Sequence, residues 1–201
     1  MNLAEKTVEF TGFVPIDAHD PATPLVYLEL VACIPDTKEH EALLVTMARP
    51  SHIHAALLLV GLQPGKPGGW EFENDTFRPI HATGDAVDVV ITYSSADGKQ
   101  VSVTPQEMIV DASTAEIFGA KDAGHWVFAG SRLVSRQGSE RYDADGAGMV
   151  IGLTTFGAEV IAWSRTISPD SDMQAPEWIA SNKAVPPAGT NVTVTLRPAK
   201  R

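Results

Sequence analysis

The 201 residues are 44% hydrophobic and 20% charged, and they carry a formal net charge of -10. That length buries one substantial core and is short for two full-sized domains, so residues 1–201 read as a single ordered domain rather than a disordered chain. The negative balance opposes phosphate backbones and anionic lipid, which excludes nucleic acid as a partner, and no apolar run approaches the roughly 20 residues of a transmembrane segment.

Strand periodicity begins at Thr7–Val14, where Val8, Phe10 and Gly12 alternate with Thr7, Glu9 and Thr11. A loop over Pro15–Pro24 leads into Leu25–Cys33, whose two faces both carry apolar residues and which reads as a strand covered on both sides. Pro35-Asp36-Thr37-Lys38 supplies turn chemistry, so His40–Met47 is expected to return as a second strand and form a hairpin with the first. Ser51 is placed to cap a short helix over 51–61, with Gly61 as its C′ residue. Apolar residues cover nearly its whole circumference, so this helix is expected to be central, packed on the sheet and shielded on its other side, with Leu57 and Leu58 both in the core.

Residues 61–84, rich in Gly and Pro, read as a long irregular loop. Strands follow at Ala86–Tyr93 and Gln100–Thr104 around an Ala96–Lys99 turn. Pro105–Met108 begins a short helix, His125–Val134, Gly148–Thr155 and Asn191–Leu196 read as strands, and Pro176–Asn182 as weak helix. The expected class is therefore α+β: a mixed, mostly antiparallel β-sheet packed on one central short helix, with minor helices.

Chemistry-bearing residues concentrate between 33 and 54. Lys38-Glu39-His40-Glu41 precedes Ser51-His52-Ile53-His54, and a transition-metal site, zinc or copper, could use His40, one of His52 and His54, and Cys33. On a helix His52 and His54 point about 200° apart, which opposes their sharing one ion; the plainer reading makes all three polar histidines at a sheet edge. The free N–H groups at Ser51, His52 and Ile53, with Arg49 beside them, suit a carboxylate or phosphate, unless Ser51 merely caps and Arg49 is solvated. Trp70, with Phe72, Phe77 and Trp126, either lines a pocket or closes the core.

Nucleophile motifs are poor: Phe128-Ala129-Gly130-Ser131 is no Gly-x-Ser-x-Gly elbow, there is no P-loop, and Cys33 has no flanking catalytic motif. Cys33 ends an apolar strand, so its thiol is expected to be buried, and as the single cysteine it forms no intrachain disulfide. Tyr142-Asp143-Ala144-Asp145-Gly146 begins like a calcium loop without its terminal Glu and reads as a turn. Met1–Lys6 has neither the basic nor the apolar part of a secretory signal, which is expected of a cytoplasmic chain or of one given without its signal.

The runs Val26–Cys33, Lys38–Val45 and Arg49–Leu58 with Gly61 resemble the YdjY-domain family, as do Trp126–Ser131, Tyr142 with Asp145-Gly146, and Pro186–Val192. The resemblance implies no catalytic residues, since the family has no assigned activity, and it implies an extracytoplasmic location, since many members carry export or lipoprotein signals. A link with ferredoxin-type proteins conflicts with the single cysteine, because an iron–sulfur cluster needs several thiolate ligands. The leading expectation is a non-enzymatic binding or accessory domain for a small molecule, an anion or a protein partner. Arg49, Ser51, His52 and Trp70 are its expected ligand-binding residues. The alternative is a metal-binding protein or metal-dependent enzyme built on His40, His52 or His54, and Cys33.

Overall fold

In the computed structural model, which describes residues 1–136 and 138–200, the chain opens with β1 (Val8–Phe13), β2 (Leu30–Cys33), a 3-10 turn (Glu39–Glu41), β3 (Ala42–Val45) and helix α1 (Pro50–Leu59). There follow β4 (Pro64–Lys66), β5 (Gly69–Glu73), β6 (Thr76–Ile80), β7 (Thr83–Gly84), β8 (Val87–Ser94), β9 (Gln100–Val103), α2 (Pro105–Met108) and β10 (Ile109–Asp111). The last part holds β11 (Trp126–Phe128), β12 (Leu133–Arg136), β13 (Ser139–Tyr142), α3 (Asp143–Ala147), β14 (Met149–Gly152), β15 (Ile161–Trp163), β16 (Trp178–Ala180) and β17 (Asn191–Pro198).

Among the described residues nine strands form one mixed sheet in the order β11-β15-β14-β2-β3-β1-β17-β8-β9. β8 and β17 alternate buried and less buried positions, as the residue-by-residue alternation in their sequences requires. β2, β3 and β14 are buried at every position and separate two apolar clusters, a large one around Leu44, Ile91 and Ile151 and a small one of Leu30, Cys33, Ala42, Val45, Met149 and Ala158. Ala86, just before β8, bridges Val127 of β11, and the Phe128 N–H donates to the Asp85 carbonyl at 2.9 Å. The sheet therefore curls far enough for strands distant in its order to meet. The β1–β3 seam is held by the single pair Phe13↔Val45 and by the Thr46 hydroxyl on the Thr11 carbonyl. Gly12 serves this close approach, since a Cβ there would lie 2.6 Å from the Val45 carbonyl oxygen.

Several expectations change. β2 and β3 run parallel, with Leu30↔Ala42 and Cys33↔Val45, and do not form a hairpin. The Glu39 carboxylate accepts from the Asp36 and Thr37 N–H groups, and the Thr37 hydroxyl donates to the Ile34 carbonyl, so the turn is wound into a compact crossover. His40 and Glu41 belong to that 3-10 turn and are not extended. Residues 125–134 split into β11 and β12, because Gly130 and Ser131 both take positive φ. Residues 178–180 are a strand paired with β10, where weak helix was expected.

Helix α1 starts one residue earlier than expected. Pro50 fills N1 and Arg49 is the N-cap residue without a side-chain cap bond, so Ser51 does not cap. Its end is as expected: Gly61 takes φ +96°, its N–H donates to the Leu58 carbonyl, and that of Leu62 donates to Leu57, a Schellman arrangement. The helix is not the shielded centre of the fold. Pro50, Ile53 and Leu57 are buried, but Leu58 and Leu59 are 43% and 63% exposed. Residues 61–84 are not irregular either: β4 pairs with β7, and β5 and β6 form an outlying hairpin through Asn74-Asp75, both with positive φ.

This separation within one helix is measurable. Leu57→Ala should cost about 2–5 kcal/mol in urea unfolding, whereas Leu58→Ala should cost under about 1 kcal/mol. Equal losses for the two would contradict the exposed outer face.

Candidate functional site

The expected site residues are dispersed. Cys33 is fully buried, as its apolar flanks predict, and burial pushes its thiol pKa up, so it is no ready thiolate. His40 is 74% exposed, with its Nε2 3.8 Å from Glu41 Oε2. His52 is exposed on the first turn of α1. His54, half-buried, puts Nδ1 2.8 Å from the Tyr142 hydroxyl, which itself donates to the Gly130 carbonyl at 3.0 Å. With that hydroxyl proton committed, Nδ1 is the donor of the pair. Burial lowers the His54 pKa, so the ring is held neutral. Among the described residues no three His, Cys, Asp or Glu side chains group so as to hold a metal ion; His40, His52, His54 and Cys33 are not brought together.

The start of α1 is occupied by the chain itself. Asp145 Oδ1 accepts from the Ser51 N–H at 2.8 Å and Oδ2 from Arg49 Nε at 2.7 Å. Burial raises the Asp145 pKa, but the Ser51 donors and Arg49 outweigh it and hold the carboxyl below its usual range. The helix end and the arginine expected to take an external anion thus already bind a carboxylate. Trp70 on β5 is half-buried with its indole N–H buried and unpartnered, and it lines neither of the two cavities described next.

A concavity lies where the segment before β2 passes β16 and the 167–177 loop. The Leu28 N–H donates to the Trp178 carbonyl at 2.8 Å and Tyr27 bridges Ile179, which fixes one wall. The result is a cleft of about 450 Å³ with Leu25, Leu28, Ile167, Pro176 and Trp178 as apolar lining and Glu29, His40 and Glu41 among its polar groups. A second cavity of about 800 Å³ adjoins it and shares Leu25, Val26 and His40. The volume suits a small organic ligand.

Glu29 and Glu41 meet at Lys38. Its ammonium bonds Glu29 Oε2 and, at 3.0 Å, Glu41 Oε2, and it also sits 4.8 Å from the centre of the Phe156 ring. Burial pushes the Glu29 carboxyl up despite Lys38; at Glu41 burial is outweighed by its interactions with Glu29 and the Lys38 ammonium, which pull it down. Burial also disfavours the Lys38 cation, but its two carboxylate partners raise its pKa overall. Of the pair, Glu41 is the more firmly ionised. In the sequence Lys38 and Glu41 carry no role of their own, and Glu29 falls within the strand run Leu25–Cys33. The available signal was the charge itself: a lone Glu inside the apolar run Leu25–Cys33 needs a partner.

The YdjY domain family matches residues 1–197. No curated protein and no solved structure matches the chain.

The Asp145 contact predicts a pH-dependent loss. Asp145→Ala should destabilise the protein by about 1–2 kcal/mol near pH 7, because it uncaps α1. The folded pKa is depressed, so the contribution is present above the unfolded value and is lost as pH falls through the folded one. Urea unfolding of parent and variant should show a constant gap down to about pH 4 and a shrinking gap below it; a gap unchanged in acid would contradict the assignment.

Proposed function

The chain belongs to the YdjY domain family, and within that family we propose that this protein is a non-enzymatic small-molecule-binding domain whose site is the cleft between Leu25–Glu29 and Trp178. One observation carries the reading: an apolar-lined cleft of about 450 Å³ ends on half-buried charged side chains already held in place by one another. Such a site offers burial for a ligand's apolar body and fixed polar groups for its orientation. The carboxyls are tied to Lys38, which supports binding rather than proton transfer. The metal reading lacks comparable support, since its residues are separated by burial on one side and by the surface on the other. The start of α1 is filled by Asp145, so the expected ligand-binding role of Arg49, Ser51 and His52 passes to the cleft.

No helix among the described residues is long and apolar enough to cross a membrane. The acidic charge supports the expectation that nucleic acid is not the partner.

N-Phenyl-1-naphthylamine, neutral at pH 7 and fluorescent in apolar surroundings, is a suitable probe. It should bind saturably and shift the indole N–H resonance of Trp178. Those of Trp126 and Trp163, whose indoles donate to Gln106 and Asp122, should stay in place. Ala175→Trp, which fills the exposed rim, should abolish binding with thermal stability unchanged. Binding that survives this substitution, or that moves other indoles alone, would remove the cleft from consideration.

A further inference from the structure

The charge of the cleft is one-sided. None of the residues lining it is Lys or Arg, while Glu29, Glu41 and Glu177 all line it. The adjoining cavity repeats the bias independently: Asp17, Asp20 and Asp111 line it, again without Lys or Arg. Asp111 is firmly ionised, because the Ser113 hydroxyl and the Ser113 and Thr114 N–H groups donate to one of its oxygens. The cation bonded to Glu29 and Glu41 is Lys38, which does not line the cleft and whose single charge the two carboxyls share; Lys121, paired with Glu116, also attracts Glu177 and Asp111 from outside both linings. Two carboxyls on one ammonium, with Glu177 as a third acidic group in the same lining and no Lys or Arg among the lining residues, leave negative potential at the polar end of an apolar hollow.

An anionic ligand would meet more carboxyl groups than ammonium groups, and a neutral one would gain only from burial. A ligand with an ammonium head and an apolar tail matches both ends: the tail against Leu25, Leu28, Ile167 and Pro176, and the head at Glu41 and Glu29. Tyr27 and Trp178 add aromatic surface to the same lining, which also favours cations over anions. Resting on the cleft reading above, we infer that the ligand class of this protein is an organic ammonium carrying an apolar chain, held at the Glu29–Glu41 end of the cleft.

Calorimetric titration near pH 7 and at low salt with octylammonium, 1-octanol and octanoate, each below its aggregation concentration, tests this. Octylammonium should bind about tenfold tighter than octanol, a charge contribution of the size a half-buried pair supplies, and octanoate more weakly than either. Glu41→Gln should bring octylammonium to the octanol level and leave octanol binding unchanged. Should that variant fold poorly, Glu177→Gln at the exposed rim should reduce the octylammonium preference in part. Equal binding of octylammonium and octanol, or tighter binding of octanoate, would overturn the ammonium assignment while leaving the cleft as the site. Failure of all three to bind, or to move the Trp178 resonance, would overturn the cleft reading and this inference with it.

Discussion

Glu29 joins three parts of the chain through both its backbone and its side chain. Its carbonyl accepts from the Leu153 and Thr154 N–H groups at 3.0 and 2.9 Å, and its N–H donates to the Glu41 carbonyl at 2.8 Å. Its carboxyl bonds Lys38, which bonds Glu41 in turn. The residues beyond β14, the 3-10 turn before β3 and the entry to β2 are thereby fixed to one residue. A charge this close to the core is tolerated because Lys38 pairs with it, and removing one partner of such a group leaves the other desolvated and unpaired. The cleft is a consequence, because its polar end is this joint and its apolar wall is the segment leading into it.

The same principle governs the start of α1. A helix start exposes unpaired N–H groups and favours negative charge. Here Asp145, at the third position of α3, supplies that charge from within the chain and ties α3 to α1. Two acidic residues thus do opposite work. Asp145 saturates the helix start that would otherwise suit an external anion, while Glu41 lines the polar end of a cavity with no Lys or Arg in its lining.

Much of the sheet was legible because alternation is local. β1, β8, β9, β17 and the α2 start fall where the pattern puts them, and α2 begins with a Thr104–Glu107 capping box. The Schellman end of α1 follows from Gly61. The parallel β2–β3 pairing was not legible, since Pro35–Lys38 carries ordinary turn residues and only the back-reaching Glu39 carboxylate winds the turn into a crossover. The exposure of Leu58 and Leu59 was not legible either, because an apolar residue does not declare whether a neighbour will cover it. The β5–β6 hairpin was readable and missed: Asn74-Asp75 between Trp70–Glu73 and Thr76–Ile80 is turn chemistry with flanking alternation. Of the site, the Lys38–Glu41 stretch was in view, but Glu29 and Trp178 reach it through tertiary contacts that no local pattern contains.

Native-state amide hydrogen exchange tests the joint at Glu29 most directly, since it reads each backbone bond separately. The amides of Glu29, Leu153 and Thr154 should exchange only through global unfolding, as slowly as that of Val194 in the middle of the sheet. Exchange of these three at the rate of amides in the outlying 69–80 hairpin would mean that the joint opens on its own, and the cleft could not then be a preformed site.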